Sequence, residues 1–133
     1  MPNVLAFLTR PDAAALAANV ARGAALLDRQ YPGWEDKVQL GQLDVSDPCD
    51  CVLGQIYGDF MVGLFMVDLS RTNPASSIAH GVLSSARTRT GQEQEYSVLE
   101  RLWKAEAYRR RDAKWAEPVK VNVDEECELV AVG

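Results

Sequence analysis

Apolar residues in the first part of the chain fall at the spacing of one helix face: Leu16, Val20, Gly23 and Leu27 stand four, three and four apart, with Ala13, Ala14, Ala15, Ala17 and Ala18 between them. The spacing predicts a helix from about Asp12 to Gln30. Thr9-Arg10-Pro11-Asp12 opens it with a hydroxyl that accepts from free amides, an early proline and then a carboxylate favoured by the helix dipole, and Tyr31-Pro32-Gly33 closes it. Trp34, Val38, Leu40, Leu43 and Val45 follow without a sustained period, so this stretch reads as a packed connection with one short turn. Ser46-Asp47-Pro48 is the strongest helix start in the chain, with Asp47 as N-cap and Pro48 at the first helical position. That helix carries Cys49, Cys51, Val52, Leu53, Ile56 and Tyr57 and ends at Gly58. Asp59 then caps Phe60 to Val67, a segment apolar on all sides; periodicity fits a buried helix and a buried strand alike, and its Met and Leu content favours helix. Asn73-Pro74 opens a short helix that reaches His80 and stops at Gly81.

Residues 82–92 are polar and basic and read as a loop. From about Gln92 to Trp115 the helical period returns, with Tyr96, Leu99, Trp103 and Ala107 on one stripe and Glu100–Lys104 and Glu106–Arg110 paired four apart. Beyond Pro118 the alternation of Val119, Val121 and Val123, an acidic turn, and then Leu129, Val130 and Val132 predicts a β-hairpin. The expected fold is mainly α (α+β): a single domain over residues 1–133, with a bundle of four to five helices over 9–115 and a C-terminal β-hairpin over 117–133. Leu27, Trp34, Val52, Leu53, Ile56, Leu99 and Trp103 are the expected shared core.

Ala25-Leu26-Leu27-Asp28, Tyr31-Pro32-Gly33-Trp34, Leu40, Leu43-Asp44 and Cys51-Val52-Leu53-Gly54-Gln55-Ile56-Tyr57-Gly58-Asp59 together resemble a family of small uncharacterised proteins of actinobacteria and their bacteriophages. Leu99 and Trp103-Lys104-Ala105-Glu106 look like that family's closing helix, so the resemblance covers roughly residues 24–111. It implies a phage or prophage origin and brings no assigned activity. Cys49, which makes a Cys-x-Cys where the typical member has one cysteine, and the C-terminal hairpin depart from the family's pattern.

Composition narrows the classes. The 133 residues carry 14 Lys and Arg against 19 Asp and Glu, a net charge of −5, with 47% hydrophobic residues, which suits one soluble domain and argues against nucleic acid as a general partner. Val4 to Leu8 is too short, and lacks the preceding basic residues, for a signal peptide; no stretch is long enough to span a membrane. Three cysteines, an odd number, suit a reducing compartment, so the expected location is the cytoplasm, the host's if the chain is phage-encoded.

Three chemistries draw candidates. Cys49 and Cys51 in a helix's first turns favour a thiolate, yet Asp47 and Asp50 beside them oppose it, and a buried Cys51 beside an incidental Cys49 is the plainer reading. Cys49, Cys51, His80 and Cys127 are ligands of the type zinc takes, but one tight pair plus two isolated residues is poor zinc spacing, and His80 before Gly81 suits carbonyl capping better. Cys51, His80 and Asp59 would be the only acyl-transfer set, without a recognised motif around them. Residues 87–114 hold eight cations and five anions, and Arg87, Arg89, Arg109, Arg110 and Arg111, with Trp103, Tyr108 and Trp115 for stacking, are the nucleic-acid candidates; interleaved Glu favours a solvated helix face. The sequence thus points to a non-catalytic interaction protein without cofactor or metal, acting on a host or phage protein, with homo-oligomerisation left open. A nucleic-acid-binding regulator is the second reading and a thiol or zinc protein the third.

Overall fold

The computed structural model describes the backbone of residues 12–125 and the side chains of residues 12–114. Helix α1 (Ala13–Gln30) starts where the Asp12 carboxylate accepts from the Ala15 amide at 3.2 Å, and ends where the Tyr31 amide bonds back to the Leu27 carbonyl. Thr9 and Pro11 of the expected start lie outside the described residues. Gly33, at φ +85°, turns the chain into α2 (Trp34–Lys37), and a 3-10 turn follows at Leu40–Gln42, so the connection holds two short helical pieces where one turn was expected.

Helix α3 (Val52–Tyr57) begins five residues after the expected cap. Asp47 does accept from neighbouring amides, those of Cys49 and Asp50 at 2.7 and 3.1 Å, but they belong to a turn, and the N-cap of α3 is Cys51. The same short carboxylate that starts helices also closes such turns, which is why the local signal misplaces the start. Asp59 caps α4 (Phe60–Met66) and Asn73 caps α5 (Pro74–Ala79), both as expected. Helix α6 (Arg89–Glu125) begins three residues early, with the Thr88 hydroxyl accepting from the Gly91 amide at 3.0 Å.

The molecule is mainly helical, and among the described residues there is no strand. The expected hairpin is therefore corrected over its first half: residues 119–125 continue α6 through Pro118, and residues 126–133 lie outside the described residues. Extending a helix that packing has already nucleated fixes one residue per added turn bond, and that outweighs the β preference of three valines.

Helices α1 and α6 run side by side in the same direction, Gly23 against Trp103 and Asp28 against Arg110, and the short helices between them carry the chain back. A Cβ on Gly23 would lie 2.1 Å from the His80 carbonyl oxygen and 2.9 Å from the Trp103 ring, so only glycine lets α1 approach. All seven expected core residues are buried in one cluster. At its centre Trp34 and Trp103 meet edge to face at 5.5 Å, and the Trp103 indole donates to the Gly81 carbonyl at 2.9 Å.

Candidate functional site

The Cys-Val-Leu-Gly-Gln string is explained by local architecture. The Gly54 amide, left free at the start of α3, donates to the Cys51 sulfur at 3.2 Å, so the thiol performs the capping that a hydroxyl usually performs. Gly54 has no side chain because the preceding turn lies on it: a Cβ there would sit 2.2 Å from the Pro48 carbonyl oxygen. Val52 and Leu53 are buried, and the Gln55 amide group clamps two other segments, accepting from the Gln39 amide at 2.7 Å and donating to the Asp50 carbonyl at 3.0 Å. Burial pushes the Cys51 thiol up to about 11, and the Asp47 carboxylate adds to the effect, so at neutral pH the sulfur is a protonated cap and a poor nucleophile. A small, mainly apolar cavity of about 110 Å³ opens beside it, lined among others by Pro48, Phe60, Val82 and Tyr96.

The other thiol and the histidine are placed differently. Cys49 is exposed on the turn while Cys51 is buried. His80 is the C-cap of α5, its Nδ1 2.8 Å from the Ser76 carbonyl oxygen, which is the capping position expected of it. Among the described residues no three His, Cys, Asp or Glu side chains are grouped as metal ligands would be, and Cys127 lies outside them.

The basic stretch is drawn inward at its C-terminal end. Arg110 grips Asp28 with two hydrogen bonds, at 2.9 and 2.8 Å, reaches Glu106 at 2.6 Å, and lies over the Trp34 ring at 5.4 Å. Asp28 also accepts from the Trp34 indole at 3.0 Å, which joins the Leu-Leu-Asp and Tyr-Pro-Gly-Trp strings of the sequence in one network. The Arg110 guanidinium holds the Asp28 carboxyl below its ordinary range, against a smaller opposing effect of burial, and Asp28 in turn raises Arg110. Arg111 donates to the Glu35 and Val38 carbonyls at the end of α2, where a cation meets the negative pole of the helix. Lys114 pairs with Asp36 and the buried Glu35, and the bond to Asp36 is the chief cause of its raised pKa. Arg109 pairs with Glu106 on its own helix. Arg87 and Arg89 are exposed at the far end of the stretch, Arg89 4.0 Å from Glu93. Of the stacking candidates, Trp103 is in the core, Tyr108 is half exposed, and the Trp115 side chain lies outside the described residues.

The feature that sequence reasoning missed is the outer face of α4. The helix's Gly63 and Leu64 are buried, Gly63 so close to Leu53 that a Cβ would lie 2.7 Å from that side chain. Its opposite side carries Met61, Val62, Phe65 and Met66 at 45, 49, 64 and 53% exposure. These residues stand one, four and five positions apart and share one face. A seven-residue helix docked by one side cannot bury an all-apolar sequence, and the bounding Asp59 and Asp68 were the signals that the segment is short. Asp68, at φ +65°, closes the helix in the left-handed position, with the Leu69 amide bonded to the Leu64 carbonyl at 2.8 Å, and the Arg71 guanidinium rests 5.1 Å from the centre of the Phe65 ring.

Among the described residues no helix is long and apolar enough to cross a membrane. Comparison with protein-family models, with curated proteins and with solved structures finds no match to this chain.

Proposed function

We propose that this chain is a non-catalytic protein-interaction module, phage- or prophage-encoded, that offers the outer face of α4 to a protein partner in the cytoplasm. One observation carries the reading: four large apolar side chains gathered on one helix face and 45 to 64% exposed, a cluster that burial within the chain does not account for. Met fills two of the four positions on that face, and flexible thioethers adapt to a partner's contour. The chemically distinctive residues support it from the other side, since Cys51 acts as a helix cap, and Arg109, Arg110 and Arg111 bond to groups of the same chain.

A photo-reactive amino acid at Phe65, compared with one at the exposed Arg101 on α6, tests this in an actinobacterial cytoplasm. Light should join the protein to another polypeptide from position 65 and leave position 101 uncoupled; equal yields at the two positions would overturn the reading.

A further inference from the structure

The cavity beside Cys51 adjoins a second opening. The cavity, about 110 Å³, is walled mainly by Val45, Pro48, Cys51, Phe60, Val82 and Leu83, and of these Val45, Cys51 and Val82 are buried. The second opening is a polar groove of about 610 Å³ between the turn at residues 44–46 and the amino-terminal part of α6. Ser46 and Tyr96 line both. We infer that the two form one binding site for a small primary amine, with a short apolar tail in the cavity and the ammonium in the groove. Met61, Val62, Phe65 and Met66 line neither space, so this site and the outer face of α4 stand or fall separately.

Each half of the site selects one half of the ligand. The cavity offers an ordered water few polar partners, so hydrocarbon fills it better, and its size takes a short alkyl group and little more. The groove carries Asp44, Glu93 and Glu100 against one cation of its own, Arg89. Glu93 and Glu100 stand one turn before and one turn after Tyr96 on the same face of α6, while Asp44 comes from the opposite wall. Two of the three carboxylates are answered within the chain: Arg89 lies 4.0 Å from Glu93 with both side chains largely in solvent, and Lys104 pairs with Glu100 at 3.2 Å. The Asp44 carboxylate accepts from the Ser46 amide and hydroxyl, at 3.0 and 2.6 Å, and among the described residues no cation bonds to it. The charge left over is negative and stands beside Ser46, where groove and cavity adjoin, and the Tyr96 ring at the same place is a further group to which a cation is attracted. A lysine side chain does not fit this order, because it enters ammonium first and would bury its charge beside Val45 and Val82. A free amine enters tail first.

Titration of the purified full chain with pentylammonium, followed by methyl NMR, tests the inference, with pentanol and pentanoate as probes of equal tail and different charge. Pentylammonium should shift the Val45, Val82 and Leu83 methyl signals saturably, with a Kd of about 1 mM or below. Pentanol should bind about threefold more weakly and pentanoate about tenfold or more. Asp44→Asn should weaken pentylammonium about threefold and leave pentanol unchanged, since the asparagine oxygen still accepts from Ser46 while the charge is gone. Glu93→Gln, at a side chain 72% exposed, repeats the comparison on the other wall with no turn at stake, and an unchanged urea midpoint checks each fold. At about ten times its Kd, pentylammonium should also slow alkylation of Cys51 about tenfold relative to the exposed Cys49, which places the tail in the cavity. No saturable shift, equal affinity for the three probes, ammonium binding indifferent to both substitutions, or an unchanged Cys51 rate would overturn the inference.

Discussion

Along the seam between α6 and the α1–α2 corner, Arg110, Arg111 and Lys114 each bond to a carboxylate or carbonyl of another element, while on α4 four apolar side chains face outward. The sequence suggests the reverse, a basic run on a solvated helix face and an apolar run fit for a core. A charged run turns inward when its counter-charges stand on a neighbouring helix at the right height, and an apolar run stays outside when its helix is too short to be enclosed. What decides is the partner across the gap, and residue type alone does not name it.

The contrast can be pressed by mutation. Trp103→Ala should cost about 3–5 kcal/mol by removing the ring that fills the space beside Gly23 and Trp34, read as a lower urea midpoint. Gly54→Ala should cost about 1–3 kcal/mol, because its Cβ meets a backbone carbonyl that must move, whereas Gly41→Ala, with open space around it, should leave the midpoint in place. Asp28→Asn should cost on the order of 1 kcal/mol at neutral pH, modest because the carboxylate is nearly half exposed. Its pH dependence has a fixed sign: the folded-state pKa is depressed, so the wild type's advantage is present above the ordinary value of 3.8 and is lost as pH falls from there through the folded value, while the Asn variant lacks that loss. Urea titrations of the two proteins between neutral and acid pH separate the outcomes. Phe65→Ser should change stability by less than about 0.5 kcal/mol, and a larger loss would mean that the α4 face is part of the core after all.

The helix starts at Asp59 and Asn73 were legible in the sequence because a cap bonds to an amide two residues away, whereas at the first helix the start was placed rightly but the cap is Asp12, where a hydroxyl three residues earlier was expected to accept. The core was legible too, since Leu27, Leu53, Leu99 and Trp103 stand on apolar stripes. The start of α3 was not, because it depends on a turn folding back onto Gly54, six residues beyond the proline that seemed to begin the helix. The Glu106–Arg110 pair was legible from its spacing, but Asp28 as the second partner of Arg110 and the carbonyl partners of Arg111 were not, because they stand more than seventy residues away in the chain. The exposed face of α4 was hidden for a related reason: hydrophobic period gives the orientation of a helix only when one side is polar, and here every side is apolar.

The sulfur at the head of α3 gives this protein an internal clock. Because Cys51 is buried and its sulfur is bonded to the Gly54 amide under the preceding turn, an alkylating reagent reacts with it when that joint lifts, and the rate of labelling counts the openings. Cys49, exposed two residues earlier, reacts without any opening and supplies the reference rate from the same molecule. The ratio of the two rates then reports how firmly this one corner of the fold is closed, separately from how firmly the whole chain is folded.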